Sequence, residues 1–209
     1  MRLIDEISLR SRRRKFALFM ETIAPTGETT VLDVGADDAA FGEHGSDQSS
    51  GCRTLNFFEK LYPWPERITA LGTNEGTRFR ESYPNVRYVQ GDALELPFAA
   101  GEFDVVFSNA VIEHVGGRVQ QRRFVAEALR VAGRAFITTP NRWFPVEVHT
   151  RLPIVHWLPD ALAHPAYDLA RKPWAKDNCL LGPRALRDLF PPEVRIVNLG
   201  MTLAAVVDH

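Results

Sequence analysis

The chain has 209 residues, of which 45% are hydrophobic and 24% charged, and its formal net charge at pH 7 is -1. This composition is typical of a globular domain and excludes a disordered or fibrous chain. The length suits one domain over residues 1–209. The near-zero charge gives no global signal for nucleic acid, and no apolar run reaches the roughly 20 residues of a membrane span. The two cysteines have no metal-type spacing, so a reducing, cytoplasmic setting is the default expectation.

The first predicted element is a helix from Leu3 to Ile23, within an N-terminal segment that covers residues 1–27. Its apolar side chains recur at three- and four-residue spacings, and Pro25 ends it. A basic run at residues 10–15 crowds this helix. Such a run is usually a solvated helix face, and a binding patch is the alternative.

Buried strands then alternate with helices along the chain. This order predicts a doubly wound, Rossmann-like α/β fold: a seven-stranded, mostly parallel sheet with helices on both faces. Ligands bind such sheets beyond the carboxyl ends of the strands. The predicted strands are Thr30–Val34, Ile68–Leu71, Val86–Gln90, Phe103–Ser108, Ala135–Thr138, Val194–Leu199 and Thr202–Val207, and the later helices are Leu55–Leu61, Glu75–Tyr83, Arg118–Val131 and Pro183–Phe190.

An irregular stretch rich in proline and tryptophan, residues 140–182, follows the fifth strand. It is interpreted as a cap-like insertion over a substrate, since aromatic groups with a few polar ones suit an organic acceptor. A core patch under a long loop is the equal alternative. His149, His156 and His164 lie here at spacings of seven and eight, without the i, i+4 pattern of a helical metal pair. No metal is therefore predicted.

Several ordered motifs carry a family resemblance. Strand one ends in the sequence VLDVG at residues 31–35, and strand three leads into GDALELPF at 91–98. FDVV at 103–106 and IEHV at 112–115 follow in the same order. Together these segments resemble the class I S-adenosylmethionine-dependent methyltransferases, in the type 11 branch that acts on small molecules. The resemblance spans about residues 30–141 and implies S-adenosylmethionine as cofactor and a small organic acceptor. The aromatic side chains of the cap suggest that this acceptor is aromatic or lipid-like.

The resemblance also implies which residues hold the cofactor. The first motif lies at its methionyl end, the end of strand two at its ribose, and the GDA segment at its adenine. At the ribose, either Asn74 or Glu75 supplies the contact, and a carboxylate accepts from two hydroxyls at once. The cofactor-binding candidates are Asp33, Gly35, Ala36, Asn74, Glu75, Gly91, Asp92, Ala93 and Asn109.

The loop after strand one departs from the family pattern of acid-x-Gly-x-Gly-x-Gly. Only Gly35 remains, and Asp37 and Asp38 add negative charge beside the expected position of the cofactor carboxylate. These carboxylates argue against a dinucleotide, whose pyrophosphate needs backbone donors from a G-x-G-x-x-G loop. The departure leaves one alternative function, a catalytically silent methyltransferase-like binding domain.

Three residues are candidates for contact with the acceptor. His114 follows strand four, where it acts as a base, orients the substrate, or is a structural histidine beside Glu113. Asn141 follows strand five, and a turn-forming asparagine after a proline is its alternative. His149 lies in the predicted cap. The predicted catalytic residues are thus His114, Asn141 and His149.

Overall fold

The computed structural model describes residues 3–37 and 56–208, with side chains from residue 9 onward. Asp38, most of the polar insertion in the cofactor loop, and Leu55 at the predicted start of the second helix lie outside the described residues. Within the described part of the chain, no helix is long and apolar enough to cross a membrane.

The described elements follow the predicted order. The helices are α1 (Leu3–Ile23), α2 (Phe57–Leu61), α3 (Thr77–Ser82), α4 (Arg118–Val131), α5 (Asp160–Leu169) and α6 (Pro183–Arg187). The strands are β1 (Val31–Val34), β2 (Ile68–Gly72), β3 (Arg87–Gln90), β4 (Val105–Asn109), β5 (Arg134–Pro140), β6 (Arg195–Asn198) and β7 (Thr202–Val207). Short 3-10 helices cover Pro65–Arg67, Val155–Trp157 and Pro173–Asp177.

The seven strands form one sheet in the order β3-β2-β1-β4-β5-β7-β6. β1 to β5 run parallel, whereas β7 pairs antiparallel with both β5 and β6. The predicted fold class is therefore confirmed. The chain order reverses between β1 and β4, and this switch point is where such sheets bind ligands.

Alternate side chains of each strand pack on opposite faces of the sheet. On one face, Leu32 and Val34 of β1 join a core with α4 and α6. On the other face, Val31 joins a core with α1, α2 and α3. Phe19 of α1 packs edge-on against Phe107 of β4, with ring centroids 5.4 Å apart. This aromatic packing holds α1 across the sheet and places its preceding turn beside the end of β4.

The structure corrects three boundaries. The stretch predicted as irregular contains α5, a ten-residue helix that was missed because Pro165 lies inside it and proline normally interrupts a helix. α3 begins at Thr77 rather than Glu75, because Gly76 before it has a left-handed φ of 68°. The helix predicted to run to Phe190 ends at Arg187.

Candidate functional site

A cavity of about 390 Å³ opens at the switch point, beyond the carboxyl ends of β1 and β4. Four of the predicted site residues line it, and α1 and the segment after β5 complete its wall. The cavity therefore combines the predicted cofactor end with the predicted acceptor end. Its polar lining includes Lys15, Asp37, Asn109, His114 and His149, and Gly35 contributes backbone.

Gly35 occupies a position that no other residue fits. Its φ is 111°, and a Cβ atom there would lie 2.2 Å from Cγ2 of Val111. The backbone N–H groups of Gly35 and Ala36 both donate to the carbonyl of Leu71, at 2.9 and 3.0 Å. These bonds hold the turn after β1 against β2, so that bare backbone faces the cavity.

Asp33 is not among the residues that line the cavity, and its predicted contact with the cofactor stays a prediction. Its side chain shares a sheet face with Val31, and that face is covered by α2, which carries Glu59. Burial raises the pKa of Asp33 well above its ordinary value, and the Glu59 carboxyl beside it raises it further. Burial likewise raises the pKa of Glu59. Two carboxyls buried side by side disfavour each other's charged form, which is why both pKa values are raised.

Asn74 and Glu75, the two ribose candidates, have different surroundings. The Asn74 amide donates to the Asp37 carboxylate at 3.1 Å, and its oxygen accepts from the Tyr88 hydroxyl at 2.8 Å. Asn74 thus binds the turn after β1, and its amide N–H stabilises the negative charge of the Asp37 carboxylate. Glu75 is exposed, which leaves its carboxylate as the ribose candidate of the two.

The GDA segment continues the edge of the sheet after β3. The Gly91 N–H donates to the carbonyl of Gly72 at 2.9 Å, and Ala93 packs against the core beneath. One carboxylate oxygen of Asp92 accepts from the Leu94 N–H at 2.8 Å, and the side chain is exposed. Asp92 therefore keeps acceptor capacity for a ligand at this edge.

Lys15 lines the cavity, contrary to the predicted solvated face of the basic run. Its ammonium donates to Oδ1 of Asn109, which also accepts from the Thr138 hydroxyl at 3.0 Å. Burial lowers the pKa of Lys15 to about 7, the charge of Arg12 lowers it further, and that of Glu113 opposes both. The signal was present in the sequence, because Lys15 lies four residues before Phe19 on the stripe of α1 that faces the sheet.

Glu113 is fully buried, at 0% exposure, and sequence reasoning treated it only as a neighbour of His114. Its Oε2 accepts from the Thr139 hydroxyl at 3.0 Å, whereas Oε1 is buried without a hydrogen-bond partner. Burial raises the pKa of Glu113 to about 7, against the opposing charges of His149 and Lys15. A lone glutamate in a sequence carries no signal of such burial.

His149 is held by a buried carboxylate. Its Nδ1 lies 2.8 Å from Oε1 of Glu147, and its backbone N–H donates to the same oxygen. Burial raises the pKa of Glu147, but hydrogen bonds from His149 and from the Thr150 N–H bring it down to about 2. For His149, burial lowers the pKa and the Glu147 hydrogen bond raises it, with a net rise. The carboxylate of Glu147 is therefore an anion, and it orients the imidazole of His149.

His114 completes this group from the loop after β4. Its Nε2 lies 3.9 Å from Oε1 of Glu113, and its ring centroid is 5.1 Å from that of His149. The side chain is 45% exposed. Burial and the neighbouring charge of His149 lower the pKa of His114. The structure thus brings together two predicted histidines that are 35 residues apart in the chain.

Asn141 is engaged elsewhere, which corrects its predicted contact with the acceptor. Its amide nitrogen donates to the carbonyl of Gly200 at 3.0 Å, and its oxygen accepts from the Trp143 N–H at 3.0 Å. Both polar atoms therefore bind backbone and tie the end of β5 to the β6–β7 turn. This is the turn-forming alternative.

The other histidines of the 140–182 segment, which we call the cap, do not join His149. His156 Nε2 lies 3.0 Å from the carbonyl oxygen of Phe144. His156 and His164 line a separate cavity of about 80 Å³ beside α5. The three histidines considered from the sequence therefore do not converge on one point.

Comparison with known proteins agrees with this arrangement. Residues 49–134 match the family described as "Methyltransferase domain". The phthiotriol/phenolphthiotriol dimycocerosates methyltransferase of Mycobacterium tuberculosis H37Rv is 31% identical over 134 residues, which cover 62% of this chain and 43% of that protein. The protein of the same name from Mycobacterium bovis gives the same values. The match spans less than half the length of these curated relatives.

Two solved structures show the same fold. The N-methyltransferase NodS from Bradyrhizobium japonicum, in complex with S-adenosyl-L-homocysteine, superposes with a TM-score of 0.56 at 15% identity, covering 93% of this chain and 85% of that one. The PH0226 protein from Pyrococcus horikoshii gives 0.59 at 15% identity, covering 96% and 90%. The fold and the family match define a methyltransferase domain. The resemblance predicted from the sequence is confirmed: residues 49–134 match the methyltransferase-domain family, and the fold around them is the one that these solved structures share.

Proposed function

We propose that this chain transfers a methyl group from S-adenosylmethionine to a small, largely apolar acceptor bound between the cavity and the cap. The observation that carries the proposal is the cavity itself. It lies at the switch point of the sheet and brings Gly35 and Asn109 together with His114 and His149. Predicted cofactor residues and predicted acceptor residues thus line a single cavity.

The residues at the switch point fit the cofactor of the family. The bare backbone at Gly35, where a Cβ would collide with Val111, provides the close approach that a bound methionyl group needs. Asn109 lies at the end of β4 in the same wall. The exposed carboxylates of Glu75 and Asp92, after β2 and β3, would hold the ribose and the adenine.

When bound, S-adenosylmethionine supplies an electrophilic methyl group on a positively charged sulfur. Gly35 and Asn109 would hold that group in the cavity, and the residues around His114 and His149 would hold the nucleophilic atom of the acceptor next to it. Much of the acceleration comes from holding the two partners close and aligned. A protonated nucleophile must also lose its proton, and the Lys15 amine, with its pKa lowered to about 7, is our candidate to take it.

The acceptor class follows from the walls around the cavity. Pro140, Val148 and Met201 give its acceptor side an apolar lining. The cap also leaves many large apolar side chains exposed, and the mycobacterial relatives carry a lipid in their name. These features support a lipid-like or aromatic acceptor. The exposed side chains are Trp143, Val146, Ile154, Trp157, Leu158, Leu162, Leu169 and Trp174.

Calorimetry with S-adenosylhomocysteine tests the proposal, followed by a screen of apolar hydroxyl acceptors. Ligand at 100 times its dissociation constant should stabilise the fold by about 2.7 kcal/mol. A folded protein that shows neither heat nor a thermal shift at millimolar ligand would contradict methyl transfer. It would favour the catalytically silent binding domain, which the pairing of Asp33 with Glu59 supports because it removes the motif acid from the cavity.

A further inference from the structure

Two imidazoles that line the cavity, those of His114 and His149, lie close to the buried carboxylate of Glu113. Nε2 of His149 lies 3.8 Å from Oε1 of Glu113, and Nε2 of His114 lies 3.9 Å from the same oxygen. All three ligand atoms lie within 4.8 Å of one another. The separations from the carboxylate exceed those of a hydrogen bond, so the three atoms face a common point without bonding one another.

Oε1 of Glu113 needs a partner with positive charge or a hydrogen to donate. The residue is fully buried, and this oxygen has no hydrogen-bond partner, while Thr139 satisfies the other oxygen. A buried carboxylate oxygen that is left unpaired is costly. A cation between Glu113 and the two imidazoles would satisfy it, and the two histidines would then bind through nitrogens that already face it.

The contact between Nδ1 of His149 and Glu147 favours metal binding through the other ring nitrogen, Nε2. Nδ1 binds the Glu147 carboxylate at 2.8 Å, which leaves the lone pair of Nε2 directed toward Glu113. Metal-binding histidines almost always donate their other ring N–H to a carboxylate or carbonyl in this way. Glu147 is itself fixed by the N–H groups of His149 and Thr150.

We propose that Glu113, His114 and His149 form a site for one divalent transition-metal ion of the zinc type. Two imidazoles and one carboxylate are the ligand set of many catalytic zinc sites, which keep a further position open. The sequence predicts no metal, because the histidines near His149 in the chain, His156 and His164, lack the spacing of a metal pair. In the folded chain those two histidines lie elsewhere, and Glu113 and His114 are the neighbours of His149.

The three ligand atoms, which lie within 4.8 Å of one another, must move closer together to bind one ion. Tetrahedral bonds of roughly 2.0–2.1 Å place ligand atoms roughly 3.3 Å apart, so each histidine must approach Glu113 by about half an ångström. His114 is 45% exposed and gives the ion a path from solvent. The ammonium of Lys15 opposes a cation, since its charge acts on both Glu113 and His149. Arg12 also lines the cavity, so the carboxylates of Glu113 and Glu147 have to offset two cationic side chains.

The part played by the ion rests on the proposed function. An ion held by Glu113, His114 and His149 would have a further position free for an acceptor oxygen and would favour the deprotonated form of that oxygen. Binding of the ion does not depend on methyl transfer. The site can therefore be tested in the full chain without knowing the acceptor.

The test is a titration of chelator-treated protein with Zn²⁺ by calorimetry, and with Co²⁺ by visible absorption. We expect one ion per chain. Removal of an outer partner of a metal site weakens binding about 10–100-fold, so Glu147→Gln should fall in that range, and Glu113→Gln and His149→Ala should lose at least as much. His164→Ala, in the cap but away from the cluster, should bind like the wild type.

Binding of S-adenosylhomocysteine, measured on the same samples, separates the possible failures. A variant that still binds this ligand is folded, so its loss of Zn²⁺ identifies a ligand. Absence of stoichiometric Zn²⁺ and Co²⁺ binding in wild-type protein would overturn the metal site and leave the methyltransferase proposal intact. Equal affinity in the wild type, Glu113→Gln and His149→Ala would overturn it as well, because the ion would then bind elsewhere. Metal binding without cofactor binding would contradict the proposed function alone.

Discussion

The ammonium of Lys15 donates a hydrogen bond to Oδ1 of Asn109, across a separation of 94 residues. The bond joins α1 to the carboxyl end of β4, at the point where the sheet reverses its order. It also places a buried amine in the wall of the cavity that holds the predicted cofactor and acceptor residues. The N-terminal helix is thus a functional wall of the site as well as a cover for the sheet.

Burial of Lys15 should cost folding stability, so Lys15→Met should raise the melting temperature. The pKa is lowered from 10.5 to about 7, so the unfolded state binds more protons than the folded state between these values. The penalty is complete below pH 7 and disappears as the pH rises toward 10.5. The gain from methionine should therefore be largest at and below pH 7, at about 2–4 °C for each kcal/mol recovered. Thermal unfolding from pH 6 to 10 measures it, and Arg10→Met, an exposed change on the same helix, is the control.

Lys15 should also affect the pH profile of methyl transfer. A base must be neutral to accept a proton, so kcat/KM for a protonated acceptor should rise through about pH 7. Lys15→Met should lose this rising limb and retain cofactor binding. An unchanged profile in the variant would remove Lys15 from the chemistry and leave its effect on stability.

The Asp33–Glu59 pair should make the fold less stable as the pH rises. Both carboxyls have raised pKa values in the folded state, so the folded protein holds protons that the unfolded chain releases above its ordinary carboxyl range. Their contribution is present at low pH and is lost as the pH increases. Glu59→Gln removes the repulsion and should raise the melting temperature at pH 7–8, with a flatter dependence on pH.

Glu66→Gln is the matched control for that prediction, because Glu66 is exposed on a nearby 3-10 helix. It removes the same charge without touching the pair. Equal melting temperatures for Glu59→Gln and wild type across this pH range would show that the pair carries no penalty.

Substitution of Gly35 should abolish cofactor binding. A valine at this position needs an unfavourable positive φ and collides with Val111, which lines the turn after β4. Calorimetry with S-adenosylhomocysteine should show binding in wild type and none in Gly35→Val. Gly133→Ala is the control, since its added Cβ meets no atom within 4 Å. Undiminished affinity in folded Gly35→Val would place the cofactor elsewhere.

Asp92→Ala should weaken binding of S-adenosylhomocysteine by about 1–3 kcal/mol, the cost of a lost hydrogen bond to a buried polar group. The side chain is exposed and bonds only a local backbone N–H, so the variant should remain folded. Glu75→Ala should behave similarly at the ribose. Glu95→Ala, another exposed acid near this edge of the sheet, should leave affinity unchanged.

Local patterns in the sequence determined most of the fold. The alternation of apolar runs with amphipathic segments predicted the seven strands, the long helices and their order, because the packing of each element depends on its own periodicity. The ordered motifs predicted the family and gave Gly35, Asn109 and His114 as site candidates, and the cap insertion added His149; all four line one cavity. α5 was missed because a proline in the sequence normally indicates the end of a helix, and Pro165 lies inside this one.

Only the tertiary structure decided which side chains of the site contact one another. It buries Lys15 against Asn109, pairs Asp33 with Glu59, and surrounds Oε1 of Glu113 with two imidazoles. These relationships join residues that are distant in the chain, and whether a carboxyl or an amine is solvated depends on what covers it. Desolvation and proximity to other charges set its protonation and its capacity to bind, and neither is encoded in local periodicity. The sequence by itself therefore determined the scaffold and the family resemblance, and folding determined which side chains share the cavity.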